Sequence, residues 1–132
     1  MKQSFYVIIL TALLTLPACS NEAEQSPLSV VNKRMAAYNQ HDLTAFLATY
    51  AEDVQIYTYP DKHLTDGKAE LQSIFEPMFN EAFVKVTIHH QIEKDSYVTN
   101  HETVEYPNAT IDYVSIYKVV NSLITEVRFV RD

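Results

Sequence analysis

The chain has 132 residues, 47% of them hydrophobic and 20% charged, which is a normal size and composition for one domain built around one core. Seventeen acidic residues against ten basic ones give a net charge of −7, a balance that argues against nucleic acid, whose phosphates demand a basic face. A single cysteine, Cys19, excludes a disulfide within the chain, so stability has to come from packing.

Lys2 gives a positive start, and Phe5 to Leu16 form an apolar run shorter than the roughly 20 residues that span a bilayer, so residues 1–18 read as a signal peptide. The run closes on Leu16-Pro17-Ala18-Cys19, which resembles the lipobox of bacterial lipoproteins: an apolar residue, then a small one just before the cleavage site, then cysteine. That resemblance implies cleavage after Ala18 and lipidation of Cys19 by three acyl chains, more than the two signals that stable anchoring takes. By the same resemblance Ser20, which is not an aspartate, implies the outer membrane of a Gram-negative envelope, facing the periplasm. An ordinary signal peptide that happens to contain a cysteine is the alternative. Residues 19–27 would then be lipid anchor and tether, with a polar, acidic stretch from Ser20 to Gln25.

The first helix starts with Ser26 as cap and Pro27 at the first helical position, and Leu28, Val31, Met35 and Tyr38 give its apolar stripe. Asn39-Gln40-His41 breaks the pattern. Asp42 caps a second, short helix with Leu43, Phe46, Leu47 and Tyr50 on one face. After Glu52-Asp53 the period changes to two: Val54, Ile56 and Thr58 alternate with Gln55, Tyr57 and Tyr59, a strand that Pro60-Asp61 ends. Gly67, the only glycine, opens a third helical stripe of Leu71, Ile74, Phe75, Met78, Phe79, Ala82 and Phe83. Pro77 lies inside this stripe and predicts a kink near Phe75-Glu76, or a break into two short helices.

From Val84 onward the pattern is strands. Val84, Val86, Ile88, His90 and Ile92 alternate with polar residues up to a turn at Glu93-Lys94-Asp95. Strands then follow over Ser96–Tyr106, Ala109–Val119 and Leu123–Arg131, separated by Pro107-Asn108 and Val120-Asn121-Ser122. Short connections between consecutive strands make an antiparallel sheet, and helices followed by strands make an α+β arrangement with the helices on one face.

The words at the element boundaries carry a resemblance: Tyr38-Asn39, His41-Asp42-Leu43, Tyr50-Ala51-Glu52-Asp53-Val54, Gly67-Lys68 and Ile124-Thr125-Glu126-Val127. In order and content these resemble the nuclear transport factor 2-like superfamily, particularly its SnoaL-like branch, with residues 28–132 as the domain. The resemblance implies a cone: three N-terminal helices packed in the concave face of a curved, mixed, mainly antiparallel sheet, with a pocket at the open end and a homodimer through the sheets. It does not imply one activity, because the superfamily includes isomerases, cyclases, dehydratases, binding modules and subunits without catalysis. In its ketosteroid isomerases the base is an aspartate near the end of the first strand, assisted by a tyrosine on helix one and an acid on a later strand. Here Thr58 (or Tyr59 with a shift of one), Arg34 and Ser115 stand in those places. Thr58 is no base near neutral pH and Ser115 cannot act as a protonated carboxylic acid, so steroid isomerisation is disfavoured.

Alternation puts His90 on the face of Val84, Val86 and Ile88. Asn100, Glu102 and Tyr106 share a face of the next strand, and Tyr113, Ser115 and Tyr117 of the one after. If these faces line the cone, His90 and Glu102 form a candidate catalytic acid-base pair, with Thr58, Asn100, Tyr106, Tyr113, Ser115 and Tyr117 as pocket residues. The bland alternative leaves His90 capped by a neighbour and Glu102 in solvent. No metal or cofactor is expected: His89 and His90 are adjacent in a strand and point to opposite faces unless a bulge intervenes, and His63 and His101 have no ligand spacing. Three functions stay open: an anchored domain binding a small apolar or amphipathic molecule, a pocket isomerase, dehydratase or hydrolase, and a non-catalytic envelope scaffold. A cavity of about 300 Å³ or more with convergent polar groups separates the first two from the third.

Overall fold

The computed structural model describes residues 23–132; the expected signal peptide and Cys19 lie outside the described residues. Helix α1 (Pro27–Gln40) begins where the serine signal placed it, with the Ser26 hydroxyl accepting from the Ser29 amide at 3.2 Å and Pro27 in the first turn. It stops where His41 turns left-handed, at φ 54°. Two side chains at this end fasten the helix to the sheet. Asn39 donates to the Val86 carbonyl at 2.9 Å and accepts from the Val86 amide at 2.8 Å, as a neighbouring strand would, while the His41 ring bonds the Val84 carbonyl at 2.7 Å. Helix α2 (Leu43–Ala48) is capped by Asp42, which accepts from the Ala45 amide at 2.9 Å, and buries Phe46 completely.

Strand β1 (Tyr50–Thr58) begins four residues earlier than its alternation signals, because it pairs in parallel with the last strand through a shifted register between Tyr50 and Gln55. It is followed by β2 (Lys62–Asp66), to which the sequence assigns no element. This edge strand buries only Thr65, so it carries no apolar alternation to read. Helix α3 (Gly67–Asn80) then runs through Pro77 as one element, not two. The proline falls in the last turn, where the missing amide removes a single helical bond.

Strands β3 (Lys85–Lys94), β4 (Tyr97–Tyr106), β5 (Ala109–Val120) and β6 (Leu123–Val130) complete a six-stranded sheet in the order β2-β1-β6-β5-β4-β3. Only the β1–β6 pair is parallel. The fold is α+β, with the three helices on the inner face of a curved, mixed, mainly antiparallel sheet. Which face is inner is decided by burial: Tyr113, Ser115 and Tyr117 point to the helices, and Val114 and Ile116 point outward. Between the layers Phe46 is the hub, its ring 4.7 Å from Phe75, 5.1 Å from Phe79 and 5.2 Å from Tyr50. Such tilted and edge contacts add about 0.5–1.5 kcal/mol each beyond area burial.

The geometry at the start of α3 generates a test. Gly67 has φ 83°, and a Cβ there would sit 3.3 Å from the Glu52 carbonyl oxygen. Gly67→Ala should lower unfolding stability by about 1–2 kcal/mol, the cost of left-handed backbone in a residue with a Cβ. Urea denaturation checks this, and an unchanged midpoint would contradict the strain.

Candidate functional site

Between α1, α3 and the concave face of the sheet lies a cavity of about 330 Å³. Its apolar wall comes from Leu71, Ile74, Phe75 and Met78 on α3, facing Ile56, Val104 and Phe129 on the sheet. Its polar lining is Arg34, Tyr38, Thr65, Glu102, Tyr106, Tyr113 and Arg131. A second depression of about 430 Å³ lies between α1, α2 and Ser122, but its only charged side chain is Lys33 and no carboxylate reaches it.

Glu102 is 2% exposed and held by three donors from its own and the next strand. Ser115 Oγ donates to Oε1 at 2.7 Å, Tyr117 to the same oxygen at 3.3 Å, and Asn100 Nδ2 to Oε2 at 3.1 Å. Asn100 is oriented in turn by Gln91, which donates to its carbonyl oxygen at 2.9 Å. These contacts follow from register: Asn100 opposes Ser115 and Glu102 opposes Tyr113, so alternate residues of β4 and β5 share the inner face.

Arg34 comes from the buried side of α1 and is 4% exposed. Its Nε donates to the Tyr50 hydroxyl at 2.8 Å and its Nη1 lies 3.2 Å from Met35 Sδ. The guanidinium carbon lies 5.2 Å from the ring centroid of Tyr38, 5.1 Å from that of Phe46 and 5.5 Å from that of Tyr117, within range of cation–π attraction. Among the described residues no carboxylate comes within ion-pair distance of it. Burial works against its charge, but the phenol groups of Tyr117 and Tyr50, the Glu102 side chain and the Tyr50 hydrogen bond outweigh that, so its pKa is raised and the cation is kept.

The phenols respond to the same burial. Loss of solvent pushes Tyr38 up to about 12 even though Arg34 pulls the other way, and Tyr50 and Tyr117 are raised for the same leading reason. Tyr106 is raised by burial and by its contact with Tyr113, the two hydroxyls being 3.4 Å apart. At the mouth the exposed Arg131 donates to the Tyr113 hydroxyl at 3.2 Å.

Of the residues singled out in the sequence, Glu102, Tyr106 and Tyr113 line the cavity, and Asn100, Ser115 and Tyr117 hold Glu102 from behind. Thr58, at the far end of β1, does not line it. The expected His90–Glu102 convergence is not formed. A bulge between Ile88 and His90 reverses the alternation, so Ile88 opposes Glu102 while His90 opposes His101. His90 is exposed on the outer face, its ring stacked 5.9 Å from that of His101 at 16°. The same bulge puts His89 outward too, with its Nε2 2.6 Å from the Thr103 hydroxyl, so the two histidines do not point to opposite faces. His101 completes this surface group by pairing with Asp112 at 3.0 Å. Among the described residues no three His, Cys, Asp or Glu side chains are placed to hold a metal ion.

The resemblance puts Arg34 at the place of the ketosteroid isomerases' helix-one tyrosine without giving it a role, and the sequence offers no pocket role for Arg131. A signal for the first exists: Arg34 falls among Val30, Val31, Met35 and Tyr38 on the buried side of α1, and a charge there needs a reason. Arg131, one residue past β6, gives no such signal.

A family model of the SnoaL-like domain matches residues 31–127, and the chain belongs to that family. No curated protein matches it. Its fold is similar to a nuclear transport factor 2-like protein of unknown function from Cytophaga hutchinsonii, with a TM-score of 0.73 at 18% identity over 84% of this chain and 94% of that one. A putative ketosteroid isomerase from Kribbella flavida aligns with a TM-score of 0.66 at 16% identity, covering 80% and 77% of the two chains. An LEH-like epoxide hydrolase of M. tuberculosis aligns with a TM-score of 0.65 at 15% identity over 80% and 82% of the two chains. At these identities the likeness is one of fold.

The raised phenols set an alkaline limit on stability. From the ordinary value of 10.0 to about 12 the folded state keeps the Tyr38 proton that the unfolded chain gives up. Stability from this burial is therefore fully present below pH 10.0 and is lost as pH rises toward about 12, with Tyr50 and Tyr117 adding in the same direction. Phenolate absorbance and circular dichroism followed together should show these tyrosines ionising only with unfolding. Ionisation of all nine tyrosines at the ordinary value with the fold intact would contradict it.

Proposed function

We propose that this protein is a lipid-anchored lipoprotein of the bacterial cell envelope whose cone binds a small amphipathic molecule. The observation that carries the reading is the cavity: about 330 Å³ with apolar walls and a small set of polar groups, Arg34 and Glu102 within and Tyr113 and Arg131 at the mouth. Phe75 forms part of its wall, and Phe79 and Tyr117 pack beneath it without filling it. An open cone gives the scaffold alternative less support than binding. The anchor is supported by the Lys2 start, the apolar run and Cys19, and Ser20 favours the outer membrane, facing the periplasm. A homodimer through the outer sheet face is supported by Val114 and Val130, which oppose each other there at 37% and 38% exposure.

One observation favours a second reading, a pocket isomerase, dehydratase or hydrolase: the Glu102 carboxylate reaches the cavity beside Arg34. In that case Glu102 is the acid-base group without His90. Proteins of similar fold named as a putative ketosteroid isomerase and an epoxide hydrolase are in keeping with it.

Native mass spectrometry on protein purified from its own host should show a bound small molecule that denaturation releases; a spectrum of lipidated polypeptide alone counts against the binding reading. Cys19→Ser should abolish palmitate labelling and membrane association, and normal labelling after that change would sink the anchor. Light scattering should give twice the protomer mass at micromolar concentration, and the monomer mass alone would remove the dimer.

A further inference from the structure

The cation at the closed end of the cavity has no carboxylate within ion-pair distance among the described residues. A guanidinium taken out of water loses several kcal/mol of solvation, and proteins offset this with a carboxylate and with hydrogen bonds to each nitrogen. Arg34 has the Tyr50 hydroxyl at Nε and a sulfur contact at Nη1, and Nη2 has no hydrogen-bond partner among the described residues. Every fully buried side-chain nitrogen and oxygen among those residues does have a partner. Nη2 therefore touches the cavity, and is not sealed in the packed interior. Glu102 is in the opposite condition, because three donors already occupy its carboxylate.

Charge across the cavity points the same way. Arg34 stands at the inner end and Arg131 at the mouth, against the one carboxylate of Glu102. Aromatic faces around Arg34 soften the loss of water but supply no acceptor in the plane of the fork. The remaining wall is apolar from Leu71 to Phe129. Taking the cavity as a small-molecule site, as the preceding reading does, we infer that its ligand is an amphipathic carboxylate: the oxyanion meets Nη2 and Nη1 of Arg34, and the apolar body lies against α3. Arg131 draws the anion in from the mouth, while Glu102 sets a limit on negative charge that excludes dianions.

The test uses the mature lipidated protein in nanodiscs and two probes of one shape, naphthoate and naphthamide, with empty nanodiscs subtracted in calorimetry. Naphthoate should bind at least about tenfold more tightly, a difference of about 1.4 kcal/mol. In Arg34→Met the ratio of the two affinities should fall to about one. Glu102→Gln, which takes away the competing charge and keeps the shape, should raise the preference for naphthoate over naphthamide severalfold. Equal binding of the two probes by the native protein, or tighter binding of naphthamide, overturns the carboxylate inference and leaves the small-molecule reading standing. Binding of neither overturns both. The native comparison decides the question even if Arg34→Met fails to fold.

Discussion

The guanidinium of Arg34 is the constraint from which the inner end of the cone is built. A charge buried to this depth survives only where its surroundings substitute for water, and here they are one phenol oxygen, one sulfur and three ring faces. The sulfur comes from the neighbouring Met35, and the rest come from four places in the chain. Tyr50 stands at the entry to β1, Phe46 on the short α2, Tyr117 in the middle of β5 and Tyr38 one turn further along α1. The arrangement holds only if α1 keeps its rotation and height over the sheet. That is what the paired bonds of Asn39 to Val86 and the His41 bond to Val84 secure.

Glu102 is the complement of that arrangement. Its donors come from β4 and β5, so its position follows from sheet register and not from helix packing. The two charges share a cavity without forming an ion pair, which leaves the cation free to meet something else. Closing an ion pair inside would have satisfied both and made the cone inert toward anions. The apolar stripe of α3 then supplies the opposite wall, and the continuity of that helix through Pro77 keeps the wall in one piece.

The bulge in β3 divides the titratable groups between the two faces. Before it the strand alternates as the sequence reads, with Val84, Val86 and Ile88 turned inward; after it His89 and His90 both stand outside beside His101. Adding one residue to one strand exchanges inside for outside, and period two offers no other outcome. The consequence is a cavity whose polar groups are phenols, guanidinium groups and a carboxylate, with the imidazoles gathered on the surface.

The sequence by itself determined the helices, the long strands and the family, since these are written in local terms: Ser26 and Asp42 as caps, Gly67 before a stripe, period two from Val84 onward. It also grouped Asn100 with Glu102 and Ser115 with Tyr117, because strands without a bulge keep their alternation over their whole length, but left open which face is inner. Strand β2 escaped it, since an edge strand with one buried residue owes its existence to the partner it pairs with. So did the bulge, because nothing in Ile88-His89-His90 reads differently from a regular strand until the register of β4 is imposed on it. The role of Arg34 was decided later still. A charge on an apolar stripe announces that it is unusual, but its partners lie on other elements of the chain, and only their packing leaves one edge of the guanidinium facing an open cavity.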